Sequence, residues 1–265
     1  IPDTSLLGLG IGVPGPVDAS GMVNRCVNLG WGVFNICNEL GALTGLPVKA
    51  GNDANVAAMG EYWKGGGKGC KNMVFVTLGT GVGGGIIIEG RLLHGSHGSG
   101  AEIGHMVLNP QETIVCNCGK RGCVEQYCSA TGIVRLAKIR LDRDNAPSSL
   151  RSLEEITCRD IFDAGKAGDQ TALEILEQYH LSALPEEICF GSWDEAYVCS
   201  VVDPEVVVIG GGVSKAGDIL LKGIEPYFKK YVFHAASTVQ FNLASLGNAA
   251  GSYGAFKLAV DAFGK

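Results

Sequence analysis

The most specific chemistry in this 265-residue chain lies in three thiols and one imidazole. The thiols fall within eight residues, two glycines keep the segment between them flexible, and the histidine lies eleven residues upstream: Cys116, Cys118, Cys123 and His105. Three thiolates and one imidazole complete a tetrahedral Zn²⁺ site, and a site with no position left for water is structural. The alternative is a chance cluster of buried thiols, since CxC is a less common spacing than CxxC.

A carboxylate stands where a helix is expected to begin. Residues 51–55 (GNDAN) follow a short strand at 48–50 and precede an amphipathic helix over 54–63. A helix N-terminus favours an ionised carboxylate, so Asp53 is placed to accept a proton from a substrate hydroxyl as a general base. The alternative is that Asp53 or Asn52 only caps the helix.

Two glycine turns follow apolar strands. Residues 78–85 (LGTGVGGG) expose consecutive N–H groups and the Thr80 hydroxyl, which together form an anion site. Residues 210–214 (GGGVS) would admit a flat nucleoside against bare backbone. Ordinary tight turns are the alternative for both, and neither is a Walker motif because no Gly-Lys-Ser/Thr follows.

Two glutamates flank the thiol and imidazole set. Glu102 stands three residues before His105, and Glu125 two residues after Cys123. If zinc folds this segment, both carboxylates are fixed near His105, and a group of acceptors suits a polyhydroxylated ligand. Taken singly, each is more often a solvated surface glutamate.

Strands and helices alternate along the chain, which predicts an α/β fold. Apolar runs ending in glycine predict strands at 6–13, 74–78 and 206–209, and residues 84–91 predict a hairpin turning at 89–90, so the sheet is expected to be mixed. Helical periodicity appears at 54–63, 130–141, 171–178, 219–230 and 249–263. Ser152 and Glu155 have capping-box spacing for a following helix, and residues 181–199 show no stable period.

Composition narrows the function. A net charge of −6 and no Lys/Arg cluster argue against a nucleic-acid partner. No apolar run reaches the roughly 20 residues that span a bilayer, and no secretory signal is visible, so we expect a cytoplasmic protein whose ten cysteines are mostly reduced. The 40 glycines are about twice the usual share and gather in the turns described above.

Taken in order, the motifs resemble the ROK family of bacterial repressors and sugar kinases, most of all its glucokinases. The motifs are VPGPVD at 13–18, GNDAN at 51–55, LGTGVGGG at 78–85, AEIGH at 101–105, CNCGKRGCVEQY at 116–127 and DPEVVVIGGGVS at 203–214. The resemblance covers nearly the whole chain apart from residues 181–199, and the thiol segment combined with AEIGH is highly specific.

The resemblance implies a two-lobed actin-like ATPase (ribonuclease H-like) fold with mixed sheets, in which ATP and sugar meet in a cleft. It divides the chain into 1–58, the rest of a small lobe, 59–247, a large lobe with the zinc loop, and 248–265, a helix that returns to the small lobe. Asp53 is implied to be the base that deprotonates the sugar 6-hydroxyl. The other implied roles are sugar binding by Gly15, Asn52, Asp53, Glu102, His105 and Glu125, phosphate binding by Gly79, Thr80 and Gly81, and adenosine binding by Gly210, Gly211 and Gly212.

The implied cofactors are ATP, Mg²⁺ and structural Zn²⁺, and family members are commonly dimers or tetramers. Two features depart from the family. Its first strand carries Asp-x-Gly-Gly-Thr, which is not found here, so we expect the first strands of the small lobe to be missing. Residues 181–199 replace an apolar helix with Pro185 and two glutamates, by a reading-frame error or an insertion. The rival functions are phosphorylation of another hexose or N-acetylhexosamine, a sugar-responsive repressor, and an inactive sugar-binding fragment.

Overall fold

The computed structural model describes residues 6–24, 26, 29–181 and 192–264. These residues divide into two compact units. The first comprises Ile1–Phe75, Gly84–Glu102 and Ala244–Lys265, and the second comprises Val76–Gly83 and Ile103–Leu243.

The first unit is built on short strands and three helices. Strand β1 (Leu9–Val13) pairs in parallel with β4 (Val48–Asn52), and β2 (Met22–Val23) pairs antiparallel with β3 (Phe34–Asn35). The helices are α1 (Ile36–Thr44), α2 (Asp53–Lys64) and α9 (Ala250–Phe263). Part of the core is a cluster of small apolar side chains, Val13, Val17, Val23, Cys26, Ile36 and Ala50.

Glycines in this unit serve packing as well as turns. A Cβ on Gly254 of α9 would lie 1.7 Å from the Val56 carbonyl oxygen of α2, and one on Gly60 would lie 2.1 Å from that of Ala250. The two helix backbones therefore touch, and any side chain at these positions would separate them. Part of the glycine surplus thus belongs to the interior of this unit rather than to binding turns.

A buried carboxylate fixes the loop before α9. Glu61 on α2 has no exposed surface, and it accepts hydrogen bonds from the backbone N–H groups of Gly66, Ser245 and Leu246 at 2.8–3.1 Å. A buried carboxylate is tolerated when such donors replace its hydration. Glu61 therefore ties the loop after strand β9, at Gln240–Leu243, to α2.

The largest sheet has five strands. Its order is β7 (Arg91–Leu92), β6 (Val82–Ile88), β5 (Met73–Leu78), β8 (Val206–Gly210) and β9. Strands β6 and β7 are antiparallel and β8 and β9 are parallel, which confirms the expected mixed α/β sheet. The helices of the second unit are α3 (Glu125–Cys128), α4 (Ala130–Asp142), α5 (Cys158–Lys166), α6 (Gln170–Leu181), α7 (Ser192–Val202) and α8 (Asp218–Tyr231).

Most of the predicted elements are present. The hairpin turns at Glu89 and Gly90, whose φ values of 49° and 74° are those of a type I′ turn. The predicted capping box is wrong: Ser152 lies in a 3₁₀ turn (Ser149–Ser152), and the reciprocal bonds are made by Thr157 and Asp160 at the start of α5. The second pair is offset from the first by five positions and has the same spacing, but only the second stands at the start of a helix.

The segment without a period, residues 181–199, is partly described. From Ser192 onward it is helix α7, which leads toward β8, while residues 182–191 lie outside the described part of the chain. Every described cysteine is a free thiol. Among the described helices, none combines the length and the apolar character that crossing a membrane requires.

Candidate active site

The predicted metal ligands converge in the second unit. The ligand atoms of His105, Cys116, Cys118 and Cys123 all lie within 4.8 Å of one another. His105 Nδ1 is 3.8 Å from Cys116 Sγ, and the Sγ atoms of Cys118 and Cys123 are 3.5 Å apart. Bonds of about 2.3 Å in a tetrahedron place sulfur atoms about 3.8 Å apart. The donor set and its spacing therefore fit Zn²⁺, which would be held by these four side chains.

The backbone of this loop is ordered around the thiols. The Cys116 N–H donates to the Lys120 carbonyl at 2.7 Å, and the Gly119 N–H donates to the Cys116 carbonyl at 2.8 Å. The Lys120 ammonium donates to the His105 carbonyl at 2.8 Å and so joins the loop to the histidine. Gly119 and Gly122 both have positive φ, which makes the turns between the thiols possible.

Glu125 stands between the metal loop and a glycine turn. The Cys116 thiol donates to Glu125 Oε1 at 3.1 Å, and burial together with this bond raises the pKa of Cys116. A Cβ on Gly81 would lie 2.6 Å from Glu125 Oε2, so the carboxylate rests against the bare backbone of the turn at 79–81. One side chain thus contacts both a metal ligand and the predicted phosphate loop.

The turn at Gly79, Thr80 and Gly81 is held against the start of a helix. The Gly79 N–H donates to the Gly81 carbonyl at 3.0 Å, which closes the turn, and the Ala130 N–H donates to the Gly79 carbonyl at 2.8 Å. The Thr131 hydroxyl donates to the Thr80 carbonyl at 2.9 Å. The N-terminus of α4 therefore backs the turn, and its dipole adds positive potential for an anion.

The second glycine turn lies at the end of a neighbouring strand. Gly211 has φ of 82°, and a Cβ there would lie 2.3 Å from the Leu78 carbonyl, so this turn packs directly on the end of β5. Gly211 and Gly212 are exposed, and Gly212 has open space where a side chain would be, while Gly210 is buried in β8. The second turn therefore presents exposed backbone beside the turn at 79–81.

The carboxylate and its neighbours lie in the first unit. In the parallel register of β1 and β4, Val13 is opposite Asn52, so Gly15 and Asp53 both follow the carboxyl ends of paired strands. Asn52 is the N-cap of α2: its Oδ1 accepts from the Ala54 and Asn55 N–H groups, and its Nδ2 donates to the Gly15 carbonyl at 3.1 Å. Asp53 follows the cap in the first turn, where its Oδ1 also accepts from the Ala54 N–H at 2.8 Å, and its side chain is exposed.

The AEIGH motif contains one residue of unusual backbone conformation and one close backbone contact. Ala101 has φ of 65°, an uncommon conformation for a non-glycine residue, and it directly precedes Glu102. A Cβ on Gly104 would lie 2.0 Å from the Val82 carbonyl, so only glycine lets the turn Ile103–His105 approach β6. This close approach sets His105 near the end of that strand.

The predicted site residues therefore form two groups, one within each unit. The first unit brings together Gly15, Asn52 and Asp53, and Glu102 is its last residue before the chain enters the second unit. The second unit brings together the metal loop, Glu125 and the two glycine turns. Ser129 and Thr131 were not among the predicted residues, although serine directly before the helical run at 130–141 is an N-cap signal.

A glycine turn closed against a helix N-terminus, beside a second glycine turn on the neighbouring strand, is an arrangement suited to a nucleotide. With the mixed sheet, it defines an α/β protein of the actin-like ATPase class. Comparison with known proteins gives the particular family: the ROK family model matches residues 3–262, and the chain belongs to the ROK family.

The relatives that match include both sugar kinases and a repressor. The chain is 42% identical to a glucokinase of Halalkalibacterium halodurans over 95% of this chain and 75% of that protein. A crystal structure of a ROK family glucokinase from Streptomyces griseus in complex with glucose and AMPPNP superposes with a TM-score of 0.80 at 34% identity, over 98% of this chain and 83% of that one. A xylose repressor of Caldicellulosiruptor bescii is 31% identical over 87% of this chain and 56% of its own length.

Proposed function

We propose that this protein is an ATP-dependent hexose kinase that phosphorylates glucose at the 6-hydroxyl. The observation that carries the proposal lies at the start of α2. Asn52 caps the helix there, and the Asp53 carboxylate directly after it is exposed. The glucokinase relatives support glucose as the sugar and ATP as the phosphoryl donor.

Asp53 is the proposed general base. As the 6-hydroxyl oxygen bonds to the γ-phosphorus of ATP, its proton passes to the Asp53 carboxylate and the bond from phosphorus to the ADP oxygen breaks. A positioned base of this kind contributes about 10²- to 10⁴-fold to the rate. Asn52 orients Asp53 through the helix cap, and its side chain also donates to the Gly15 carbonyl. We propose that Asn52 and Gly15 contact the sugar together with Asp53.

Glu102, His105 and Glu125 are the proposed acceptors and donors for the remaining sugar hydroxyls. His105 directs Nδ1 toward Cys116, which leaves Nε2 for a sugar hydroxyl if zinc binds Nδ1. Bound Zn²⁺ would supply a rigid structural link rather than a reactive group, because four protein ligands leave no open position. The chain's own contribution is to hold His105 and Glu125 in fixed orientations.

The nucleotide is proposed to bind on the two glycine turns of the second unit. Gly79 closes the first turn through its own N–H, so the N–H groups of Thr80 and Gly81 would contact phosphate. The exposed backbone at Gly211 and Gly212 would lie against adenosine, next to Gly210 at the end of β8. Bound Mg²⁺ supplies neutralisation of phosphate charge in reactions of this class. We further propose a cytoplasmic homodimer or homotetramer, as expected from the family, which light scattering of the purified protein tests.

The decisive experiment is a coupled ADP-release assay on the protein expressed from its complete reading frame. Glucose, fructose, allose, N-acetylmannosamine and N-acetylglucosamine are compared at equal concentrations with Mg²⁺ and ATP. The proposal predicts turnover with glucose that exceeds turnover with each of the others. Turnover with another sugar but not glucose would overturn the glucose assignment, and sugar binding without ADP release would indicate a repressor-like member.

A further inference from the structure

A charged cluster lies at α3, and none of its residues belongs to the metal, sugar or nucleotide sites proposed above. Arg135 on α4 donates from Nη1 to Glu112 Oε2 at 2.8 Å, and the Tyr127 hydroxyl donates to the same oxygen at 2.5 Å. The Arg135 guanidinium also lies 4.7 Å from the centre of the Tyr127 ring, and Asn109 Nδ2 donates to the Tyr127 oxygen at 3.0 Å. Glu112, Tyr127 and Arg135 are called the Arg135 cluster below.

The cluster is linked to the metal loop both before Cys116, through Glu112, and after Cys123, through Gln126. Glu112 lies in the connection between His105 and Cys116, and its Oε1 accepts from the Thr113 and Ile114 N–H groups at 2.9 and 3.1 Å. Arg135 Nη2 donates to the Gln126 carbonyl at 3.1 Å. Gln126 in turn accepts from the Cys123 N–H with its side-chain oxygen and donates to the Ile114 carbonyl with its side-chain nitrogen.

Helix α3 depends on outside contacts for its position. It has four residues, and its N-cap, Val124, makes no side-chain cap bond. A single helical turn is unstable alone because nucleation costs more conformational entropy than one turn recovers. Its first residue is Glu125, which contacts Cys116 and Gly81, so whatever holds α3 also sets the orientation of Glu125.

We propose that the Arg135 cluster is a positioning group that fixes α3 and the metal loop, so that Glu125 is presented to the sugar. The inference rests on the proposed function for its sugar contact, but its effect on the metal loop does not. Arg135 suits the task because one planar guanidinium serves two acceptors, the Glu112 carboxylate and the Gln126 carbonyl, that belong to different segments. A lysine ammonium has no such fork.

The chain supplies a matched control on the same helix. Arg140 on α4 donates to Glu174 at 2.7 and 2.9 Å and to Asp144 at 3.2 and 3.3 Å, none of which belongs to the metal loop. Arg135→Lys and Arg140→Lys therefore each break an arginine fork on α4, while only the first touches α3. Any general loss of helix stability is common to both variants.

The experiment compares three properties of the full protein loaded with Zn²⁺: zinc affinity in competition with a chromogenic chelator, the KM values for glucose and ATP, and the melting temperature. Arg135→Lys is expected to weaken zinc binding by about 10- to 100-fold, the range seen when the supports of metal ligands are lost. It is also expected to raise KM for glucose more than KM for ATP. Arg140→Lys is expected to change only the melting temperature.

The proposal is overturned if Arg135→Lys lowers the melting temperature like Arg140→Lys but leaves zinc affinity and KM for glucose unchanged. If Arg135→Lys does not fold, Tyr127→Phe gives the same test, since it removes one hydroxyl from Glu112 without changing the ring. If the unsubstituted protein shows no kinase activity, the proposed function fails, but the zinc comparison still decides the role of the cluster.

Discussion

Gly81→Ala is a substitution whose effect can be worked out from one distance. The new Cβ would lie 2.6 Å from Glu125 Oε2, where an ordinary contact begins at 3.4 Å, so the carboxylate must move by about 0.8 Å. The atom that moves is the end of a flexible side chain rather than backbone. The fold is therefore expected to survive, and the change falls on Glu125 alone.

The expected loss follows from what Glu125 is proposed to do. A hydrogen bond between a carboxylate and a sugar hydroxyl contributes about 1.5–3 kcal/mol. At 1.4 kcal/mol for each factor of ten, losing it lowers kcat/KM for glucose by about 10- to 150-fold. A displacement near 1 Å of a positioning group costs about 10²-fold by a separate argument, which falls in the same range.

A double-mutant cycle tests whether the effect passes through Glu125. The assay is kcat/KM for glucose by coupled ADP release, measured for Gly81→Ala, Glu125→Ala and the double variant. If alanine at position 81 acts by displacing Glu125, it has no further effect once that side chain is gone. Multiplicative losses in the double variant would refute this reasoning and indicate that Gly81 is needed for the phosphate itself.

Three further predictions concern the proposed base Asp53, the helix cap Asn52 and the carboxylate of Glu112. Asp53→Asn is expected to lower kcat by about 10²- to 10⁴-fold with little change in KM for glucose, by steady-state kinetics; an unchanged kcat would remove Asp53 as the base. Asn52→Ala is expected to destabilise the fold by about 0.5–2 kcal/mol, since it removes the α2 cap, as measured by urea unfolding; no loss would contradict the cap. Burial acts to raise the pKa of Glu112, but Tyr127, the Ile114 N–H and Arg135 outweigh it and lower that pKa to about 2. Its stabilisation is therefore complete above about pH 4.5 and lost as the pH falls toward 2, so Glu112→Gln should flatten acid unfolding over that range.

The parts of the fold that were predicted from the sequence are those written in local patterns. Apolar runs that end in glycine located β5 and β8, and a tight turn was predicted at Glu89 and Gly90, where the structure has positive φ at both residues. The thiols and His105 were recognised as one metal site from their types and spacing, and their ligand atoms do converge.

The parts that were not predicted depend on residues distant in the sequence. The hydrogen bond from Thr131 to Thr80 spans 51 positions, and that from Arg135 to Glu112 spans 23. No local period signals such pairs, because they form only when separate elements pack. The close contact of Gly254 with the backbone of α2 is hidden for the same reason, since a helix glycine reads as a weak position until its neighbour is known.

The most direct test of the proposed activity is to identify the product. The full-length protein is incubated with Mg²⁺, ATP and glucose, and the product is examined by ³¹P nuclear magnetic resonance. We expect one equivalent of glucose 6-phosphate for each ADP formed, and about 10²- to 10⁴-fold less product with Asp53→Asn over the same time. Phosphate on another hydroxyl, or ATP left intact by a folded protein that retains zinc, would contradict the proposed activity.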